Sequence, residues 1–212
     1  MGVITISRQN GSEGRRVAEA VAREMGFALA DKTTIEAILG HYGLLEPDER
    51  LQGEFSIWDL FDKQYVLAVD LLNRTILALA QRGDVVILGR GGYAPLIRCG
   101  DVLNVRVKAP LEIRAARIAE YKGVTGSQAK MAVRKEDRQR RSFVESVYRV
   151  RSTDMDPFDL VVDTGTLTVE GAARLVCAAA KERFACHRGE TQLPSAFEVE
   201  PVLRKSIDHQ LA

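Results

Sequence analysis

Cysteine and histidine are sparse in this chain, with 3 of each among 212 residues. Cys99, Cys177 and Cys186 show no C-x-x-C spacing, and the histidines are scattered. That argues against a structural zinc site or a disulfide framework and leaves buried or idle thiols as the expectation. No apolar run approaches membrane-spanning length, and no basic stretch followed by an apolar block opens the sequence, so a soluble, cytoplasmic protein without a membrane partner is expected. Charge of one sign is missing too: 30 Lys plus Arg stand against 29 Asp plus Glu, and no global field recruits nucleic acid. Internal repeats and low-complexity segments are absent. The most pointed absence is Gly-x-x-x-x-Gly-Lys-Ser/Thr, because the setting in which that motif works is present.

That setting lies at the start of the chain. A β-branched run from Val3 to Ile6 leads into a polar loop holding Gly11 and Gly14, and the loop opens a helix whose apolar face is Val17, Ala18, Val21, Ala22 and Met25. Glycines let backbone N–H groups converge, and the unpaired amides and dipole of a helix N-terminus favour an anion. The loop from Arg8 to Arg15 is therefore expected to bind phosphate through its backbone. With Val17-Ala18 aligned to the first helix of such a motif, Gly14 stands where the lysine belongs; shifted by one residue, Arg15 stands there. In neither register does a Mg²⁺-binding hydroxyl follow.

With 46% hydrophobic residues, the chain can bury one sizeable core. Four more segments read as buried strands: Ala28–Ala30, Val85–Leu88, Leu103–Val107 and Leu160–Val162. Helical spacing covers Tyr65–Gln81, Pro110–Lys122 and Val169–Phe184, the last with Thr168 as N-cap. Strands alternating with helices predict an α/β fold, a three-layer sandwich around a five-stranded parallel sheet. Ligands in such sheets sit beyond the carboxyl ends of the strands. There the loop after Ser7, Asp31 and Gly89-Arg90-Gly91-Gly92 converge. Residues 43–64, with Phe55, Trp58 and Phe61, read either as a flap over that cleft or as a packed satellite cluster. The domain is expected to span 1–187. A tail over 188–212 carries Leu203, Ile207 and Leu211 at four-residue spacing, an amphipathic stripe that fits the protein's own body or a sister subunit in a homodimer.

Several stretches together resemble the cytidylate-kinase-like branch of the P-loop nucleoside monophosphate kinases. They are Ile-Ser-Arg-x-x-Gly-Ser-x-Gly-Arg at 6–15, Asp31-Lys32, Leu-Gly-Arg-Gly-Gly at 88–92, Ala-Pro-Leu-Glu-Ile-Arg-Ala-Ala-Arg-Ile at 109–118, Asp137 with the arginines after it, and Asp-Leu-Val-Val-Asp-Thr at 159–164. The resemblance spans roughly Val3 to Phe184. It implies a P-loop NTPase-type fold with a helical lid over about 114–155, and transfer of a phosphoryl group from ATP, with Mg²⁺, to a small acceptor such as CMP or dCMP. A non-catalytic nucleotide or phosphate sensor of the same fold is the rival reading.

By the same resemblance, Arg8, Asn10, Gly11, Ser12, Glu13, Gly14 and Arg15 line the donor phosphates, with Ser12 adding its hydroxyl. Arg15 is the choice for the missing lysine, against the alternative of a solvated first-turn arginine. Asp31 and Arg90 belong to the acceptor side, although Asp31 equally fits the role of helix cap. Arg114, Arg117 and Arg140 are the catalytic cations, with Asp137, Arg138 and Arg141 on the lid. Mutual repulsion is expected to hold Arg114, Arg117 and Arg140 apart until phosphates neutralise them. No residues are assigned to a metal.

Overall fold

The computed structural model describes residues 2–42, 63–97, 99–148, 155–186 and 193–211. Val3–Arg8 forms β1, the central strand of the sheet. Around it lie β2 (Ala28–Ala30), β3 (Val85–Leu88), β4 (Val102–Lys108) and β5 (Leu160–Asp163). The order is β2-β3-β1-β4-β5 and every pairing is parallel. Four of the five strands coincide with the sequence expectation to within one residue at each end, and β1 runs two residues past the expected Ile6, to Arg8. Parallel strands are covered on both faces and so read as apolar runs, which is why they were visible.

The helices α1 (Gly14–Met25) and α6 (Val169–Ala185) cover one face. Val17, Val21 and Val176 pack there against Ile4, Ile6 and Val105, all fully buried or nearly so. The opposite face carries α2 (Lys32–Tyr42), α3 (Lys63–Arg82) and, further along the chain, α7 (Pro201–Gln210), where Ile35, Ile76 and Ile207 meet Val85 and Ile87. Each such aliphatic side chain contributes about 1.5–3 kcal/mol by leaving water. Thr168 caps α6 by accepting the Gly171 N–H at 3.0 Å. The amphipathic tail helix lies on its own molecule, against α2 and α3. Among the described residues no helix is long and apolar enough to cross a membrane.

Two helices stand over the carboxyl ends of the strands: α4 (Leu111–Lys122) and the long α5 (Gly126–Tyr148). They fall within the stretch, about 114–155, that the sequence reading takes as a helical lid. The C-terminal end of α5 is anchored: Tyr148 lies against Gly91 and donates its hydroxyl to Asn73 Oδ1 at 2.8 Å. The segment read as a flap over the cleft, with Phe55, Trp58 and Phe61, lies outside the described residues.

Candidate functional site

After β1 the chain turns through Gln9–Glu13 into α1. Gly11 adopts φ +76° and packs onto the Arg114 backbone, where a Cβ would stand 2.7 Å from the Arg114 carbonyl oxygen. Glu13 precedes the helix in the left-handed conformation and gives it no side-chain cap. The amides of Gly14, Arg15 and Arg16 find no protein acceptor among the described residues. The cradle expected from the sequence is therefore built, with its helix amides open to an anion.

Side chains around the loop depart from expectation. Ser12 is buried, and its hydroxyl donates to the Gln9 carbonyl at 2.8 Å with the Val107 carbonyl at 3.3 Å. It braces the loop rather than facing a ligand. Arg15 turns outward onto Asp31 (2.7 Å) and Glu19 (3.0 Å), and 65% of its side chain is exposed. Those two carboxylates hold its guanidinium in the charged form, Glu19 first and then Asp31. The other Asp31 oxygen accepts the Thr34 amide and hydroxyl, so Asp31 is also the cap of α2.

Arg114 and Arg117 clasp the loop from outside. Arg114, 6% exposed, donates to the carbonyls of Ala109 and Asn10 and pairs with Asp137 at 2.6 Å. The other Asp137 oxygen takes the Asn10 amide at 2.8 Å, which ties α5 to the loop. Arg117 donates to the Thr164 carbonyl at 2.7 Å and pairs with Glu13 at 3.2 Å. Arg114 and Arg117 each have a carboxylate partner, which offsets the repulsion between them. Arg138 is exposed and lies off the cleft.

Between β1, β3, β4 and α5 lies a cavity of about 410 Å³. Arg8, Arg90, Arg106, Arg140 and Arg141 line it together with Lys32, against Glu136 and Asp137. Burial lowers the pKa of Arg8, Arg90, Arg106 and Arg140 alike, most of all Arg8, to about 9. Arg90 sits in a turn where residues 89, 90 and 91 all have positive φ, and it pairs with Glu36 of α2. A bulky residue held there carries strain of the kind found at ligand clamps. Arg140 comes from α5, within 3.7 Å of Glu136.

Arg106 escaped the sequence reading. It stacks over Phe158 with its guanidinium carbon 5.5 Å from the ring centre, and it donates to Ser7 Oγ at 2.9 Å. Its buried Nε has no partner among the described residues. The signal was present in the alternation. Thr5 and Ser7 in β1 pair in register with Asn104 and Arg106 in β4. A polar stripe on one face of two central strands means that no apolar layer covers that face there.

A five-stranded parallel sheet with this loop at the end of its central strand defines an α/β protein of the P-loop kinase type. The chain belongs to the cytidylate kinase-like family, whose model matches residues 3–166. It is 25% identical to the cytidylate kinase of Methanocaldococcus jannaschii over 154 residues, 71% of this chain and 86% of that enzyme. To the cytidylate kinase of Pyrobaculum aerophilum it is 29% identical over 177 residues, 82% of this chain and 90% of that enzyme. Among solved structures, an uncharacterized protein from Eubacterium ventriosum superposes with a TM-score of 0.70 at 18% identity, covering 85% of this chain and 98% of that one.

The positions after the loop offer no hydroxyl to a Mg²⁺ ion. Arg15, Arg16 and Val17 fill the positions after the loop, Leu88 closes β3, and among the described residues no group of three or more His, Cys, Asp or Glu is placed to hold a metal.

Proposed function

We propose that this protein is an ATP-dependent phosphotransferase whose acceptor is a small phosphorylated molecule, a nucleoside monophosphate of the cytidylate type. One observation carries the reading: five arginines, four of them partly buried, around a cavity of about 410 Å³ at the carboxyl ends of β1, β3 and β4. That volume falls in the range of small-ligand pockets. Phosphoryl transfer asks mainly for positioning and for positive charge around the moving group. On this reading the open amides of α1 hold the donor phosphates, and Arg90 grips the acceptor phosphate from its strained turn. Arg140 reaches in from α5, which screens the reaction from water. ATP is the donor cofactor, and Mg²⁺ arrives on its phosphates, not on protein carboxylates.

The missing metal ligands favour a second reading, a nucleotide or phosphate sensor without turnover. Incubation with ATP, Mg²⁺ and each of CMP, dCMP, UMP and AMP, followed by ADP release, separates the two. The kinase reading expects acceptor-stimulated ADP release with CMP or dCMP. Nucleotide binding without stimulation by any acceptor overturns it in favour of the sensor.

A further inference from the structure

Arg8 ends β1, and its side chain crosses the cleft toward Gly89. Two glycines far apart in sequence make room for it. A Cβ at Gly14 would stand 2.5 Å from Arg8 Cβ, and a Cβ at Gly89 would overlap the Arg8 guanidinium itself. The guanidinium therefore rests between the start of α1 and the turn that presents Arg90. Among the described residues it takes part in no hydrogen bond or ion pair. Its charged neighbours are Arg140, Arg90 and Arg15, with Asp31 the one group that favours its charge. Arginine does not give up its proton in a protein, so the charge stays and the cost of burying it is carried by the fold.

We propose that Arg8 is the phosphate-binding cation of this site, reaching in from the first position of the loop to do the work that a lysine at position 14 does in the Gly-Lys-Ser/Thr form. A loop lysine lies at the start of the helix and reaches the β- and γ-phosphates. Here the helix start is glycine, and the large cation has moved to the strand end, where its head lies on the path from the cradle to Arg90. The ligand class is a phosphate or phosphomonoester dianion: two negative charges answer a guanidinium facing other guanidiniums, and its planar fork takes two oxygens at once. Arg15, chosen from sequence for this work, is already held by Asp31 and Glu19.

The proposal deepens the phosphotransferase reading but stands on binding alone, so the two can fail separately. Titration calorimetry with metal-free ADP and, in parallel, inorganic phosphate on the full chain is the test. Arg8→Met is expected to weaken both by roughly ten- to a hundredfold, while Arg15→Ala stays within about threefold. Because an unpaired, partly buried charge is removed, Arg8→Met is also expected to raise Tm by about 3–8 °C, which a merely structural arginine would not do. Arg8→Lys, which retains a cation, is expected to lie between wild type and Arg8→Met in affinity. Regain of ADP affinity in the double variant Arg8→Gly with Gly14→Lys, relative to Arg8→Gly alone, would show that the two positions exchange one task. Unchanged phosphate and ADP affinity in Arg8→Met, or a larger loss in Arg15→Ala, overturns the proposal whether or not the chain turns over ATP. Binding that depends on Arg8 without acceptor-stimulated ADP release supports it and removes the kinase reading instead.

Discussion

The two sides of the loop from Gln9 to Glu13 treat arginine in opposite ways. On the outer side each guanidinium has its carboxylate: Arg15 with Asp31 and Glu19, Arg16 with Glu13, Arg117 with Glu13, Arg114 with Asp137. On the cleft side Arg90 pairs with Glu36 and Arg140 with Glu136, while Arg8 and Arg106 have no ion pair among the described residues, and burial lowers the pKa of all four. Outside, the pairs also engage backbone carbonyls and amides, and so they fix the loop's path. Inside, positive charge exceeds negative, and the excess is usable only by an anion. Balanced charge marks scaffolding, and an excess of one sign marks a place kept for a ligand.

Breaking the matched side should hurt stability most. Asp137→Ala strands the buried Arg114 and removes the acceptor of the Asn10 amide. A loss of about 3–5 kcal/mol is expected for breaking a buried pair, read by urea unfolding followed by circular dichroism. A loss below about 1 kcal/mol would mean that α5 is not tied to the loop through this residue. Breaking the cleft side, where positive charge is in excess, should hurt binding instead. Arg90→Ala is expected to weaken CMP binding by about 1.5–3 kcal/mol, the range for a charged hydrogen bond, with a smaller change in unfolding free energy. Normal CMP affinity in that variant would separate the strained turn from the acceptor site. The smallest effect belongs to an exposed matched pair: Arg15→Ala should cost about 0.2–1 kcal/mol of stability, less at high salt. A greater loss, insensitive to salt, would contradict the division drawn here.

The sheet was legible because its signals are local. Val85–Leu88 is an unbroken apolar run, Val3–Ile6 is β-branched throughout, and Thr168 stands just before the helix that it caps. Gly14 and Arg90 also stood out, one for what it replaces and one for a charge among glycines. Side-chain partners were not legible, because they come from distant segments. Asn10 and Asp137 are 127 residues apart, and Arg114 reaches Asn10 across 104. A chain read in order shows six arginines from 114 to 141 and nothing to say which already has its carboxylate. Arg106 was hidden differently: one arginine in an alternating strand reads as solvent-facing, until the sheet proves covered on both sides except at this cleft.

The packing of Arg8 against Gly14 and Gly89 has a consequence for how such a chain can change over generations. A lysine introduced at 14 alone meets the Cβ of Arg8, and a glycine introduced at 8 alone leaves the loop with neither cation. Any side chain at 89 displaces the guanidinium from its bed. Positions 8, 14 and 89 thus form an epistatic set, each acceptable only beside particular partners. A lineage carrying this arrangement is separated from the lysine form by intermediates that are either crowded or empty. Substitutions at these three positions should therefore be found together, and a variant library that samples them one at a time will miss the functional combinations.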